Sequence, residues 1–545
     1  MTGFPGPDAP ASVLPALADA VSVEAGSPDE WSLAGAAGVV ASLAAAPSRR
    51  DRLVHLRQLP ARTAEAAPFP QWVPDPLLQA MRARGIEGLW SHQAEAADAA
   101  WAGQDVVLST GTASGKSLAF WLPSLAAAAS ARGPKGQRGA TTLYLAPTKA
   151  LAHDQRASLG GMGLDLRFAT HDGDSSPEER NWTRAYADYV LTNPDMLHHS
   201  MLPGHSAWSD FWRTLRFVVI DECHHYRGVF GAHVSAVLRR LQRVAALYGA
   251  RPTFILASAT TAEPAATAER LIGREVHAVP RDGSPRGSLT IGLWEPPLTS
   301  QVGERGAPVR RAAAAETADL LTDLVAQQVR TLAFVRSRQG TEFVAGLARE
   351  ALDEVHPGLG RSVESYRGGY LPEERRAIEQ DLRSGRLLGL AATNALELGI
   401  DIAGLDAVLL AGFPGTRAAF WQQVGRAGRA GQDASAVMIA RDDPLDTYLV
   451  THPEALLGAP VEASVFDPGN PHVLGPHLCA AAHEHPLTDA DLPAFGPRAR
   501  EVVDALTAQG LLRRRPRGWF WTDRRRPSEL ADLRSAGGGP VQLIE

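Results

Sequence analysis

Two trains of short, mainly β-branched or aliphatic runs constrain this chain more than any other feature. Val106 to Ser109, Thr142 to Ala146, Tyr189 to Thr192, Phe217 to Ile220 and Thr253 to Ala257 form the first train. Thr331 to Val335, Val363 to Tyr366, Leu388 to Ala392, Ala407 to Leu410 and Ala436 to Ile439 form the second. A strand with one wet face alternates apolar and polar residues, whereas most of these runs do not, Val363-Glu364-Ser365-Tyr366 being the exception. Strands of this kind are covered on both faces, which predicts parallel sheets flanked by helices, an α/β fold. A Gly- and Pro-punctuated stretch, Pro280 to Pro297, separates the trains. The reading divides the chain into a mobile arm (1–50), an N-terminal extension with a first α/β domain (51–285) and a second α/β domain (286–455). A helical, winged-helix-like domain (456–527) and a tail (528–545) follow.

Composition excludes several classes. The 545 residues suit three or four domains at ~150 residues each. With 54 basic against 60 acidic residues, the net charge of −6 argues against coating nucleic acid by bulk charge, so local patches must do such work. Cys223 and Cys479 are too few for a disulfide framework or a four-cysteine zinc site, and a cytoplasmic location is expected. The longest bland apolar stretch, Leu33 to Ala46, falls short of the ~20 residues a bilayer helix needs, and no basic residue precedes Arg49. Neither a membrane partner nor a secretory signal is expected.

Thr110-Gly111-Thr112-Ala113-Ser114-Gly115-Lys116-Ser117 joins the first strand run to a helix-like segment. A strand, loop and helix N-terminus in that order cradle phosphate, with Lys116 reaching the β and γ phosphates and Ser117 ligating Mg²⁺. Thr110 stands where the strict motif has Gly. Asp221 and Glu222 follow directly on Phe217 to Ile220, and two adjacent acids at a buried strand end need a cation. Asp221 is placed to hold Mg²⁺ and Glu222 to activate the attacking water of phosphoryl transfer. In the second train, Gln422-Gln423-Val424-Gly425-Arg426-Ala427-Gly428-Arg429 sets two arginines three apart, on one side of a helix or tight turn, where they can stabilise a transferring phosphoryl.

These residues resemble helicase superfamily 2, whose members close two tandem RecA-like domains on ATP and move along nucleic acid. Trp90-Ser91-His92-Gln93 is similar to the adenine-reading Q motif, which implies Gln93 for the base. Thr112, Ala113, Ser114 and Gly115 match the phosphate loop. Pro147-Thr148-Lys149 and Thr192-Asn193-Pro194-Asp195 are similar to the backbone-gripping motifs Ia and Ib, implying nucleic-acid contacts at Thr148, Lys149 and Asn193. Ser258-Ala259-Thr260 matches the motif that couples hydrolysis to domain movement, through Ser258 and Thr260. Thr331 to Arg338 resembles motif IV, with Arg336 and Arg338 on the track. Thr393 to Asp401 resembles motif V, which implies Thr393 and Asn394 for nucleic acid and Gly399 and Asp401 for the nucleotide. The resemblance also implies catalytic roles for Gln422, Arg426 and Arg429.

Finer features, among them Pro60-Ala61-Arg62, Asp172-Gly173-Asp174, Asp282-Gly283-Ser284-Pro285, Tyr366-Arg367-Gly368-Gly369-Tyr370 and Gly412-Phe413-Pro414-Gly415, resemble the YprA or mitomycin-repair-factor branch of DNA helicases. That branch implies ATP and Mg²⁺ as cofactors, 3′-to-5′ movement on single-stranded or tailed duplex DNA, and a role in repair. Tyr366 and Arg367 then join the track. The branch also carries a C-terminal four-cysteine domain, which this chain is expected to lack, as a truncated relative or an incomplete chain.

Arg513 to Arg526 holds seven arginines, one acid and three aromatics in fourteen residues, after the helix-like Ala499 to Gln509. It is predicted to be the hairpin of a winged helix, with Arg513, Arg514 and Arg515 pressing on a duplex near the fork. His472, His477, Cys479, His483 and His485 match no common zinc spacing and read as structural. An RNA helicase or RNA-dependent ATPase is the second reading, because neither phosphate grip nor stacking senses the 2′-OH. A non-hydrolysing clamp is the third, and the full set Lys116, Ser117, Asp221, Glu222, Arg426 and Arg429 weighs against it. Protein partners and oligomeric state are not legible.

Overall fold

The computed structural model describes residues 21–23, 35–130, 138–303, 306, 308–367, 370–396, 405–428 and 431–534. The chain divides into two compact units. One comprises residues 63–284, 398–401 and 460–545; the other comprises 1–62, 285–397 and 402–459.

Seven strands of the described residues form the sheet of the first unit. Their spatial order is His277–Val279, Val106–Ser109, Thr253–Ser258, Leu215–Ile220, Thr141–Leu145, Tyr189–Thr192 and Phe168–Thr170. Every pairing is parallel. Val106–Ser109, Thr141–Leu145, Tyr189–Thr192 and Thr253–Ser258 are buried along their whole length, as unalternating runs require. Parallel strands all end at the same edge, so the loops beginning at Thr110, Pro147, Asn193, Asp221 and Ala259 leave the sheet together. Ligands of open α/β sheets bind at that edge.

The second unit holds an eight-stranded sheet in the order Val21–Val23, Leu53–Leu59, Leu289–Trp294, Ala434–Ile439, Ala407–Ala411, Thr331–Phe334, Gly389–Ala392 and Val363–Tyr366. The six strands from Leu289–Trp294 onward run parallel, and the first two add antiparallel. The structure corrects three expectations here. Residues 51–62 do not open the first domain, since Leu53–Leu59 pairs with Leu289–Trp294 in the second sheet. That partner strand lies inside the segment read as an interruption, and its flanking prolines and central Gly292 hid it. A Cβ on Gly292 would lie 2.9 Å from Val40 and 3.0 Å from Leu53, so glycine is what lets the helix Gly35–Ala44 seat on the sheet. Val40, Leu43 and Ala44 are buried in that core, so residues 35–50 are not a mobile arm. The remainder of the arm, except Val21–Val23, and the tail beyond Arg534 lie outside the described residues.

Within the first unit, helices Pro471–Glu484 and Ala499–Ala508 and the hairpin Leu512–Arg515/Gly518–Trp521 form a winged helix around Leu478, Phe495, Val503 and Trp519. A buried polar network fixes it to the helix Gly228–Leu247. Arg240, fully buried, pairs with Glu484, and one guanidinium nitrogen also donates to His198 Nδ1 (2.6 Å) and His477 Nδ1 (3.1 Å). Both rings therefore accept at Nδ1 and are neutral, and their protonated Nε2 atoms face the Ser528 carbonyl (3.0 Å) and His233 Nδ1 (3.0 Å). Burial and then Arg240 push His198 down to about 2, and the same two causes hold His477 well below the usual range. No described helix is long and apolar enough to cross a membrane.

Candidate nucleotide and nucleic-acid site

The phosphate-type loop is braced from three directions. Ser109 Oγ, at the end of its strand, donates to the Ala259 carbonyl (3.1 Å) and accepts the Thr261 N–H (3.1 Å), tying the loop's base to the Ser258-Ala259-Thr260 turn. Thr110 Oγ1 and Ser114 Oγ close the loop across its neck at 2.8 Å. Ala113 (φ 61°) and Gly115 (φ 75°) are left-handed, and the alanine stores strain of about 1–3 kcal/mol that such sites tolerate. A Cβ at Gly115 would meet Gln93 Nε2 at 2.5 Å, so only glycine lets Gln93 lie on the loop. Gln93 Nε2 donates to the Ser114 and Gly115 carbonyls (3.2 and 3.0 Å), while its Oε1 accepts the Trp90 N–H (2.9 Å). His92 was not singled out by sequence, yet its Nδ1 accepts the Gly283 N–H (3.2 Å) and its Nε2–H reaches Ser114 O (3.0 Å). Lys116 Nζ donates to the Thr110 and Gly111 carbonyls (3.1 and 2.9 Å), and Ser117 starts the helix Ser117–Ser130.

Two acids close the site. Asp221 is buried, its Oδ2 accepting the Tyr144 hydroxyl (2.5 Å) and its Oδ1 the Glu222 N–H (2.9 Å). Burial, then the Glu222 charge, pushes the Asp221 carboxyl up to about 6. Such an acid is one that a bound dication would hold ionised. Glu222 is left-handed (φ 49°), and its carboxylate lies 3.4 Å from His224 Nδ1, which accepts the Ala259 N–H at 3.2 Å. Cys223 is buried, with its thiol pushed up to about 12 by desolvation and Ser258 as its hydrogen-bond partner. A hydroxyl at a helix start and a buried carboxylate are hard oxygen ligands for Mg²⁺, and the Lys116 ammonium complements phosphate, a set that suits a nucleoside triphosphate with Mg²⁺. Among the described residues no three His, Cys, Asp or Glu side chains group to hold a metal alone.

In the second unit, Thr416 caps the helix Arg417–Val424, on which Gln422 is 2% exposed with its Nε2 lacking any hydrogen-bond partner. Gly428 (φ 75°) donates its N–H to Leu405 O (3.0 Å), and a Cβ there would come within 2.8 Å of Ala434. Arg426 is half-buried, whereas Arg429, Gly399 and Asp401 lie outside the described residues. Arg336, Arg338 and Asn394 are exposed; Thr393 is buried. Tyr366 corrects an expectation: it is 1% exposed with its hydroxyl on Glu379 (2.9 Å), so its ring offers no stacking face. Arg367 pairs with Glu342 (2.8 Å) and lies over Tyr370, two residues the sequence reading did not place in the site.

Known proteins share this fold. The DEAD/DEAH box helicase model matches residues 90–268, the helicase conserved C-terminal domain residues 316–431, and the winged helix domain of ATP-dependent helicase HRQ1 residues 466–536. YprA of Bacillus subtilis, an uncharacterized ATP-dependent helicase, is 37% identical over 500 residues, covering 91% of this chain and 65% of YprA. HRQ1 of Saccharomyces cerevisiae is 38% identical, covering 80% of this chain and 41% of its own length. The crystal structure of DUF1998 helicase MrfA bound to DNA and AMPPNP superposes with a TM-score of 0.84 at 36% identity, covering 92% of this chain and 68% of that one. The chain belongs to the YprA and MrfA type of superfamily 2 helicases. It spans less than two thirds of the length of YprA and HRQ1.

In this YprA-type chain the side chains expected to grip nucleic acid in the first unit also serve as helix caps. Thr148 Oγ1 accepts the Leu151 N–H (3.3 Å) and Asn193 Oδ1 the Met196 N–H (2.9 Å), while Lys149 pairs with Asp174 (2.8 Å). Sequence reasoning missed Arg534, which reaches Asp195 (2.9 Å) and the Pro147 carbonyl (3.1 Å) and covers Phe230. It bridges motifs Ia and Ib, and no local pattern marks one arginine among so many. In the wing, Arg513, Arg514 and Arg515 are exposed, but Arg514 is held by Asp489 (3.0 Å) over the buried Trp519. Trp519 belongs to the winged-helix core, so the hairpin's aromatics are divided between core and surface.

Proposed function

We propose that the protein is a nucleic-acid-dependent ATPase that translocates on single-stranded DNA, 3′-to-5′, and unwinds tailed duplexes in DNA repair within the cytoplasm. The observation that carries the reading is the single sheet edge in the first unit from which the Lys116 loop, the Asp221-Glu222 pair, the Ser258-Ala259-Thr260 turn and the Pro147 and Asn193 loops all depart. Family membership supports it, as does the capture of MrfA with DNA and AMPPNP.

In this reading Thr112, Ala113, Ser114 and Gly115 wrap the triphosphate and Lys116 neutralises its terminal phosphates. Gln93, already seated on the loop, reads the adenine. Ser117 and Asp221 hold Mg²⁺, which supplies charge neutralisation at the phosphates. Glu222 orients and deprotonates the attacking water; Gln422, Arg426 and Arg429 serve the same triphosphate, with Gly399 and Asp401 as further nucleotide contacts. Ser258 and Thr260 couple turnover to Thr148, Lys149, Asn193, Arg336, Arg338, Arg367, Thr393 and Asn394 on the strand, while Arg513, Arg514 and Arg515 meet the duplex. ATP turnover with single-stranded DNA, single-stranded RNA or no polymer, followed by unwinding of 3′-tailed and 5′-tailed duplexes, tests this. Stimulation by DNA and unwinding from a 3′ tail are expected; stimulation by RNA alone would establish the RNA-helicase reading instead.

A further inference from the structure

A cleft of about 310 Å³ lies beyond the edge strand Phe168–Thr170 of the first unit and belongs to no motif discussed above. It is lined by Arg180, Asn181 and Arg184 from the helix Pro177–Tyr186, by His171 from the strand end, and by Ser200 and Trp208. No carboxylate lines it. Arg180 and Arg184 are four apart and so share a helix face. Each guanidinium is held by neutral acceptors: Arg180 by the Asp172 and Gly173 carbonyls (3.2 and 3.3 Å), and Arg184 by the Asn181 side-chain oxygen. Their charges are fixed in place without being cancelled, and planar guanidiniums so held suit bidentate contact with phosphate. Arg180 Nε is buried with no partner. His171, 2% exposed, contacts Ser200 Oγ (3.4 Å) through Nε2, and its Nδ1 has no hydrogen-bond partner. A buried imidazole nitrogen left unsatisfied beside two uncompensated cations is costly for a fold to keep without a ligand.

The cleft's position favours one kind of ligand. Thr192, the residue before Asn193, donates its hydroxyl to the His171 carbonyl (2.5 Å), which joins the cleft wall to the motif Ib loop. Ser200 lies seven residues past Asn193 on the helical turns Pro194–Met196 and Leu197–Met201, roughly 10 Å along a helix axis. A strand leaving the Asn193 loop covers that distance in a few nucleotides. We propose that the Arg180, Arg184 and Ser200 cleft is a phosphate-backbone site that extends the nucleic-acid track past motif Ib to the outer edge of the first sheet. The inference rests on the reading of this chain as a nucleic-acid motor and adds a contact to it.

Fluorescence anisotropy with single-stranded DNA of about 20 and about 6 nucleotides, across a salt series, tests it in the full chain. Replacing both Arg180→Ala and Arg184→Ala should weaken the long strand about tenfold and lower its salt slope by about 1.4, the value for two phosphates on a single strand. Short-strand affinity and ATP turnover without polymer should be unchanged. Arg180→Lys with Arg184→Lys should keep the salt slope, and Ser200→Asp, which alters neither arginine, should weaken the long strand by placing an anion in the cleft. Unchanged long-strand affinity and slope in both the double-alanine and Ser200→Asp proteins overturn the inference while leaving the motor reading intact. Failure of the wild type to bind any strand overturns both. A shift of the His171 ring resonances by inorganic phosphate but not by the long strand would assign the cleft to a free anion and overturn the strand assignment.

Discussion

The two parallel sheets bear similar chemistry at their strand ends and treat it differently. In the first unit the polar groups are locked to one another: Gln93 and His92 on the Ser114 carbonyl, Ser109 on Ala259, Tyr144 on Asp221, His224 on Ala259. Ala113 and Glu222, two of the three non-glycine residues with positive φ among those described, also sit there. In the second unit Tyr366 is turned inward to Glu379, and Gln422 keeps a buried amide nitrogen unsatisfied, at a cost of about 1–3 kcal/mol. Donors and acids fixed in advance stabilise developing charge without reorganising, and the strand ends of the first unit are preorganised in that sense. The second leaves the buried Gln422 nitrogen without a partner at its strand-end site, as the first does for His171 Nδ1 at its outer edge, and such a group is available to a ligand.

Four measurements break or sharpen that contrast. Arg426→Ala should lower ATP hydrolysis by roughly 10³-fold or more while nucleotide affinity holds, because an arginine on the transferring phosphoryl acts in the transition state; a turnover rate within a few-fold of wild type would remove the second unit from the chemistry. Glu222→Gln should cost about 10²–10⁴-fold in turnover yet retain ATP binding, as loss of a general base does. Normal turnover would show that the left-handed acid is structural. Arg240→Ala strands Glu484 in a buried site and should destabilise the first unit by about 3–5 kcal/mol in urea unfolding, with no change in ATP affinity for the protein that stays folded. Gln422→Met should raise stability by about 1 kcal/mol while reducing turnover, a trade expected only if the unsatisfied amide serves the ligand. A loss of stability instead would mean the amide supports the second core.

Acid should separate the two units as well. Burial holds His171 and His225 down to about 4 and His198 to about 2, against 6.5 when unfolded, and all three lie in the first unit. A histidine depressed by folding takes up its proton on unfolding. Its stabilising neutral form is therefore fully present above pH 6.5, and stability declines as pH falls from there toward the folded values. Urea midpoints at pH 7.5 and 5.5 should show a larger loss for the first unit than for the second, where among the described histidines only His55 is shifted downward.

Most of the strand runs were legible because burial on both faces writes itself as nearly unbroken apolar sequence, and all ten runs, Val363–Tyr366 with its Glu364 and Ser365 included, fall on strands. The phosphate loop and acid pair were legible for a similar reason, since their residues are contiguous and their spacing is set by local backbone geometry. Leu53–Leu59 and Leu289–Trp294 escaped because an added antiparallel strand follows no βαβ rhythm and Gly292 mimics a break. His92, Glu342 and Arg534 escaped because each meets its partners through packing that sequence spacing does not encode; Arg534 meets Asp195 from 339 positions away.

Sequence alone determined that this chain forms two sheets built on parallel strands, with a triphosphate-type loop and adjoining acids, because those features depend on periodicity and on neighbours within one turn of chain. Only the tertiary structure decided which polar groups are finished and which are not: Tyr366 committed inward, Gln422 left with an unsatisfied nitrogen, Arg180 and Arg184 uncancelled around a cleft. Hydrogen-bond satisfaction is a property of three-dimensional neighbours, and it becomes visible only when distant segments are brought within about 3 Å of one another.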